Sequence, residues 1–255
     1  MLAWADLDSC RLRFLREALD DELAADCGRC DRCTDQSWQN QPDPGLVAKA
    51  AMHLQGGDVV VEPRKQWPTR LDEPKGRIKP ELQVEPGRAL ARLGDGGWDA
   101  TVEGLFNLSR NGLDFELPED LVQACAGVLK RWDWVQRPTW ICPMPSRRTG
   151  SLINAVADAI GALGKLPVHR VLSLGDDSTG RGLQADQANS AHQVLNVWSH
   201  LVTDMSAMPE QLLTSGPVLV IDDEMDSRWT MTVAGYRLRQ AGIGPVLPFA
   251  LRSRL

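Results

Sequence analysis

Residues 217–230 have the sequence Pro-Val-Leu-Val-Ile-Asp-Asp-Glu-Met-Asp-Ser-Arg-Trp-Thr, which joins an apolar run to two acids and a polar loop. The continuous apolar run Val218–Ile221 predicts a strand that is buried on both faces of a sheet. A helical pattern follows as far as Leu238, and the apolar run Val246–Leu251 predicts a final strand. Buried strands that alternate with helices indicate an α/β domain built on a parallel sheet.

The same alternation extends upstream, to residue 117. Leu121–Trp132 and Leu152–Leu163 have helical patterns, and Thr139–Pro143 is a short strand-like run. Ligands of parallel sheets bind beyond the carboxyl ends of the strands. We therefore expect Ser146–Arg148 and Asp222–Thr230 to lie at one rim of a domain that spans residues 117–255.

The segment Val218–Thr230 resembles the phosphoribosyl-pyrophosphate motif of type I phosphoribosyltransferases, especially their ComF-like branch. That motif has four apolar residues, two acids and a loop that ends in Thr-Gly-x-Thr. The resemblance implies that the acids bind the ribose hydroxyls, and that a loop opening a helix binds the 5′-phosphate. It also implies a pyrophosphate loop after the strand that ends at Pro143. The ribose-phosphate-binding candidates are Asp222, Asp223, Asp226, Ser227, Arg228, Thr230, Ser146 and Arg147.

The sequence departs from this motif at two positions of the phosphate loop. Arg228 occupies the glycine position, and Ser227 occupies the first threonine position. A Cβ hinders the close approach of the backbone to phosphate that glycine permits, although an arginine side chain can itself bind phosphate. We expect no phosphoribosyl transfer, so Mg²⁺ is a cofactor only if the site is active. Binding of a phosphate-bearing ligand and a structural or docking role both stay open. A mobile hood is implied at Gln187–Asn196.

Four of the six cysteines are clustered near the N-terminus. Sixteen residues separate the first from the second, and the last three are separated by two residues each. Clustered thiols in a reducing compartment bind metal more often than they form disulfides, and Zn²⁺ favours four thiolates in a closed tetrahedral site. Gly28 suits the turn between the ligands. An iron–sulfur cluster and buried free cysteines are the alternatives. The metal-ligand candidates for a structural Zn²⁺ are Cys10, Cys27, Cys30 and Cys33.

Apolar residues at helical spacing between Leu12 and Leu23 predict a helix that follows the first ligand. The segments Cys10-Arg11, Phe14-Leu15 and Cys27–Cys33 resemble the zinc module of RecQ-type DNA helicases, in the sixteen-residue gap and in the CGxCDxC cluster. We therefore expect a zinc module over residues 1–36 that acts as a brace. In that family the module follows two ATP-driven motor domains.

The sequence contains neither a GxxxxGK[ST] phosphate loop nor a DExH-like box. We interpret the chain as the C-terminal part of a longer protein, with Met1 as an internal methionine. A zinc module combined with a C-terminal phosphoribosyltransferase-like domain is similar to one RecQ-like branch of bacterial helicases. The resemblance implies that the parent is an ATP-dependent 3′-to-5′ helicase acting in DNA repair and recombination, and that DNA is its partner. The second hypothesis is a phosphoribosyltransferase with a zinc extension.

Residues 37–116 predict a linker and a small connector domain that is locally basic. Within residues 60–92 there are eight Lys or Arg against five Asp or Glu. Cations beside an aromatic ring suit a nucleic-acid backbone and one stacked base, whereas a solvated face without a ligand is the alternative. The DNA-binding candidates are Arg64, Lys65, Trp67 and Arg77.

The overall composition, with a net charge of −6, argues against a protein that coats nucleic acid uniformly. No apolar run approaches the roughly 18 residues of a membrane helix, and the N-terminus lacks the pattern of a signal peptide. We therefore expect a cytoplasmic, nucleoid-associated protein without a membrane partner. The histidines have no neighbours that suggest catalysis, and we expect packing or surface positions for His53, His169, His192 and His200.

Overall fold

A computed structural model of the protein describes residues 4, 6–35, 42–69, 71, 73–175, 190–206, 208–209 and 216–255. The chain divides into two compact units, Met1–Lys49 and Ala50–Leu255. None of the helices in the described residues has both the length and the apolar character that a membrane crossing requires.

The first unit is built on two short helices, α1 (Arg11–Glu17) and α2 (Asp31–Thr34). The helix predicted as far as Leu23 ends six residues earlier. It stops because the chain turns at Asp20, which has a left-handed φ of 56°, and because Arg16 Nε binds Asp21 Oδ2 at 2.6 Å across that turn. A third helix, α3 (Pro44–Gln55), crosses from the first unit into the second.

The second unit contains a five-stranded sheet in the order β1-β2-β7-β6-β3. β1 pairs with β2 in antiparallel fashion, and all the other pairs are parallel. This mixed α/β architecture with a mostly parallel sheet confirms the fold class predicted from the alternation of helices and apolar runs. The five strands are β1 (Val59–Val61), β2 (Gly87–Arg92), β3 (Trp140–Pro143), β6 (Val218–Met225) and β7 (Val246–Ser253).

Helices cover both faces of this sheet. A separate antiparallel pair, β4 (Leu172–Leu174) with β5 (Leu201–Thr203), packs on the same side as two of them. In β6, Val218 and Val220 belong to one hydrophobic cluster and Leu219 and Ile221 to the other, as the alternation of side chains along a strand requires. The helices of this unit are α4 (Asp99–Arg110), α5 (Glu119–Arg131), α6 (Gly150–Gly164), α7 (Ser190–His200) and α8 (Trp229–Gln240).

The segment interpreted as a connector contributes β1 and β2 to this sheet. Arg88 is in register with Phe249 of the last strand, and a Cβ on Gly87 would lie 2.8 Å from the carbonyl oxygen of Pro248. This close approach explains the glycine at the start of β2. The sheet therefore includes strands from both sides of the domain boundary that is predicted between residues 116 and 117.

Candidate functional site

The four clustered cysteines meet in the first unit. Their Sγ atoms all lie within 4.8 Å of one another, and the Sγ atoms of Cys10 and Cys30 are 3.9 Å apart. Tetrahedral Zn²⁺ with Zn–S bonds of about 2.3 Å requires sulfurs about 3.8 Å apart. The donor set is therefore arranged to hold one metal ion, and its spacing fits zinc.

Local backbone geometry places these sulfurs. Cys10 caps the N-terminus of α1, where its Sγ accepts hydrogen bonds from the backbone N–H groups of Arg13 (3.4 Å) and Cys27 (3.3 Å). The N–H of Cys30 donates in the same way to Cys27 Sγ at 3.3 Å. Gly28, with a φ of 67°, supplies the left-handed turn between these ligands.

These hydrogen bonds stabilise thiolates. The N–H of Arg13, followed by that of Cys27, lowers the pKa of Cys10, and a backbone hydrogen bond from Arg11 lowers the pKa of Cys30 to about 6. Burial raises the pKa of Cys33 to about 12, and neighbouring thiols add to the rise. One thiol thus resists ionisation beside the others, which is the situation that a bound divalent cation relieves.

An ion pair stabilises the two helices that carry the ligands. Arg11 binds Asp31 with two parallel hydrogen bonds, of 2.8 Å from Nε to Oδ1 and 2.9 Å from Nη2 to Oδ2. Bidentate geometry of this kind fixes orientation better than a single contact. It ties the start of α1 to the start of α2, beside the cysteines that flank each helix.

In the second unit, a cleft of about 350 Å³ lies at the carboxyl end of β6. Five of the eight ribose-phosphate candidates line it, together with side chains of α7 and with Trp229. The expected rim is therefore formed, since β3 and β6 are parallel neighbours and their following turns meet at the same edge. The candidates in the lining are Asp222, Asp226, Ser227, Arg228 and Thr230.

The two acids lie within β6, because the strand continues to Met225 instead of ending at Ile221. Asp222 is 5% exposed, and burial, followed by the charge of Asp223, raises its pKa well above the usual range. Asp223 accepts a hydrogen bond from the hydroxyl of Thr149. Asp222 therefore lines the cleft, whereas Asp223 is anchored to the turn before α6.

The turn after β3 contains the other two candidates. Ser146 Oγ accepts the N–H groups of Arg148 (3.3 Å) and Thr149 (3.1 Å), and it lies 2.7 Å from Thr149 Oγ1. Arg147 donates to the carbonyl of Gly175 at 3.3 Å. Neither Ser146 nor Arg147 lines the cleft; Arg148 does. A hydroxyl chain from Ser146 through Thr149 reaches the acid pair, and this chain was not predicted from the sequence.

Arg228 has a φ of 69° and a ψ of 2°, so the backbone keeps the left-handed conformation that glycine adopts without strain. Its Nη1 donates to the carbonyl of Glu62 at 2.9 Å. Two buried donors of the cleft residues, Arg228 Nε and Trp229 Nε1, have no hydrogen-bond partner in the described residues. Unpaired buried donors are costly, and an acceptor-rich ligand would satisfy them.

Arg64 packs against this loop and is not part of an open basic surface. Its Nε donates to the carbonyl of Ser227 at 3.1 Å, and its guanidinium lies 4.8 Å from the ring centroid of Trp229. Burial, followed by the charge of Arg228, lowers its pKa. Two arginines thus contact the loop, which also carries the carboxyl groups of Asp222 and Asp226.

The other DNA-binding candidates do not form one surface with it. Trp67 is 3% exposed and packs against Trp229, with ring centroids 6.1 Å apart and an interplanar angle of 15°. A base has no free ring face to stack on there, because the ring is part of the core. Lys65 and Arg77 are exposed on neighbouring segments, where Gln66 pairs with Arg77.

The predicted hood lies only partly in the described residues, which include 190–196 as part of α7 but not 187–189. Of the histidines, His200 is buried with Nδ1 2.7 Å from the carbonyl oxygen of Asn196, and His169 packs edge-on against Trp140 at 5.9 Å. Neither lines the cleft.

A scan against models of protein families and a search of curated proteins both returned no match for this chain. The resemblances to RecQ-type zinc modules and to phosphoribosyltransferases therefore rest on the sequence motifs alone.

Proposed function

We propose that the chain is a non-motor accessory region of a RecQ-like DNA helicase, in which a structural zinc module precedes a phosphoribosyltransferase-like domain. The observation that carries this proposal is the cysteine cluster: its spacing resembles the RecQ-type module, and its four sulfurs converge within 4.8 Å. A site filled by four thiolates leaves no open position for substrate, so the zinc is structural. DNA is bound through the parent protein, and the protein is located with the nucleoid in the cytoplasm.

Two features support a type I phosphoribosyltransferase-like fold for the second unit. β3 and β6 are parallel neighbours, with Trp140 in register with Val218, so the two candidate loops share an edge. The hydrogen bond from Thr149 to Asp223 joins the turn after β3 to the acid pair. This arrangement suits a ligand that presents ribose hydroxyls to the acids and phosphate to the loop.

We infer that this cleft binds a ribose phosphate without transferring it. Arg64 and Arg228 supply positive charge, and the unpaired donors of Arg228 and Trp229 suit phosphate oxygens. Arg228 also places a long side chain beside the loop, where the family has only a glycine. The donors of Arg228 and Trp229 therefore favour phosphate binding, whereas the side chain of Arg228 occupies space that a transfer reaction needs.

The second candidate function is a phosphoribosyltransferase with a zinc extension. The left-handed backbone of Arg228 favours it, since this is a conformation that glycine adopts without strain and the motif has a glycine at this position. In that case Mg²⁺ would accompany the ligand at the acid pair of β6, Asp222 and Asp223, because carboxylate oxygens are its preferred protein ligands.

Sequencing the DNA upstream of the codon for Met1 tests the helicase proposal. An open reading frame that encodes ATPase motor domains and continues into this chain supports an accessory region. A stop codon directly upstream, with a ribosome-binding site before Met1, contradicts it and leaves the second candidate.

A further inference from the structure

A second concave surface lies at the opposite end of the strands from the cleft. It is an apolar groove of about 280 Å³ between α5 and α6, next to the start of β6. Its floor and walls are mainly hydrocarbon, and they include Leu129, Trp134, Ile160 and Leu163. None of the candidate residues predicted from the sequence lies in this groove.

The wall formed by Trp134 is held in place before any partner binds. Its indole Nε1 donates to the carbonyl of Leu129 at 2.9 Å, and its ring stacks on that of Trp132 with centroids 4.1 Å apart. A rigid aromatic side chain contributes contact area at a small cost in conformational entropy. Tryptophan is also enriched among the residues that dominate the energetics of protein interfaces.

The lining of the groove includes a partly exposed apolar side chain and two cations. Leu163 is 48% exposed. Lys130 and Arg137 line the groove, and neither forms an ion pair in the part of the chain that the structure describes. In a protein with a net charge of −6, this is a local positive field around an apolar surface.

The charge at the groove favours a protein segment as its ligand. Sites for drug-sized molecules and cofactors have volumes of about 300–1,000 Å³ and bury most of the ligand. This groove, at about 280 Å³, is at the lower end of that range and is open to solvent. It accommodates one large side chain, and the exposed Lys130 and Arg137 in its lining suit acidic neighbours of that anchor.

We propose that the groove binds an acidic segment of a partner protein, which inserts one large apolar side chain between α5 and α6. The anchor packs against Trp134 and Leu129, and acidic neighbours in the segment pair with Lys130 and Arg137. Apolar burial supplies the affinity, while the charge pairs select acidic segments and accelerate association.

Fluorescence anisotropy with a labelled peptide tests this interaction on the full chain. The probe is a fluorescein-labelled pentapeptide with a central phenylalanine and two aspartates on each side. Saturable binding is expected at or below about 1 mM, which corresponds to roughly 4 kcal/mol of binding free energy. Replacing the phenylalanine by alanine, or the aspartates by asparagines, should each weaken binding by about fivefold or more.

Variants of the protein locate the binding surface. Lys130→Glu combined with Arg137→Glu should weaken binding of the probe by about tenfold or more, because attraction becomes repulsion. The matched control is Lys75→Glu combined with Lys79→Glu, which makes the same change in net charge at two exposed positions outside the groove. All four positions are exposed, so both variants should remain folded, which the far-UV circular dichroism spectrum checks.

Three outcomes would overturn the proposal. The first is the absence of saturable binding by the wild type at about 1 mM peptide. The second is equal loss of binding in the two double variants, which would show a general effect of charge. The third is a change in tryptophan fluorescence on adding decanoate that is absent in Trp134→Phe, together with no change on adding the peptide, which would make the groove a site for small amphiphiles.

Discussion

At residue 228 the chain combines a backbone conformation suited to glycine with the side chain of arginine. The φ of 69° is retained although a non-glycine residue costs about 1–2 kcal/mol in this region. The side chain offsets part of that cost through its hydrogen bond to the carbonyl of Glu62. The loop therefore combines a backbone conformation typical of glycine with a guanidinium group.

This strain can be measured with two substitutions at the same position. Arg228→Gly should be more stable than Arg228→Ala by about 1 kcal/mol, because both lose the hydrogen bond to Glu62 and only glycine escapes the left-handed penalty. Urea denaturation of both variants gives the difference. Thr230, an exposed residue in the first turn of α8, is the control: there Ala should be the more stable residue. Equal stabilities at position 228 would contradict a strained loop.

Asp222 predicts a dependence of stability on pH. Burial raises its pKa in the folded protein above the unfolded value, so the folded state binds the proton more tightly, and stability falls as pH rises between these two pKa values. Asp222→Asn keeps the acceptor for the N–H of Asp223 and removes the buried charge. The variant should be more stable than the wild type by about 1 kcal/mol or more at pH 8, and the difference should shrink as the pH falls towards 4. A difference that does not change with pH would contradict a buried, shifted carboxyl.

At the scale of the elements, we expect the four-cysteine unit to depend on a bound metal ion. Cys27→Ser should unfold the first unit, because metal-binding free energy in such small modules is folding free energy. The sheet of the second unit should keep its cooperative thermal transition, since its two hydrophobic clusters contain no residue of the module. Metal analysis should give one zinc per wild-type chain and less in the variant. Cys125→Ala, in the core of α5, is the control that retains zinc. An absorption band near about 400 nm would instead indicate an iron–sulfur cluster.

The surface that carries Lys65 and Arg77 gives a prediction for DNA binding. If both contact phosphate, then Lys65→Gln with Arg77→Gln should weaken binding to every sequence and reduce the salt slope by about two counterions. Filter-binding or anisotropy measurements over a range of salt concentrations give this slope. Lys130→Gln with Arg137→Gln removes the same residue types elsewhere and should leave the slope unchanged. An unchanged slope in the first variant would leave this segment as a solvated face.

At the scale of the whole molecule, the sequence predicted what short-range patterns encode. Apolar runs predicted β3, β6 and β7 and hence the parallel sheet, and the cysteine spacing predicted which four thiols converge. The pairing of β2 with β7 was not predicted, because Phe249 lies 161 positions after its partner Arg88 and no local pattern records such a contact. The burial of Trp67 was missed for the same reason: its aromatic partners lie in α7 and α8.

The buried ion network at the end of the sheet also depends on long-range contacts. Arg252 is 1% exposed, and its Nη1 binds Asp99 Oδ1 at 3.0 Å and Glu103 Oε2 at 2.7 Å, while Glu224 accepts from its Nε. These acids come from α4 and β6, far apart in sequence. The network joins β7 to α4, a helix of the segment that was predicted as a connector domain. The second unit is one compact structure from Ala50 onward.

Calorimetric titration with phosphoribosyl pyrophosphate and Mg²⁺, followed by a pyrophosphate-release assay with added nucleobases, tests the proposed function of the cleft most directly. The wild type should bind the ligand, and Asp222→Asn with Asp223→Asn should lose that binding while remaining folded. No pyrophosphate should be released with any common base, because Arg228 stands where the phosphoribosyltransferase motif has a glycine. Release that depends on a base would contradict this account and make the protein a phosphoribosyltransferase. Absence of binding by the wild type would contradict it equally, since the cleft would then hold no ribose phosphate.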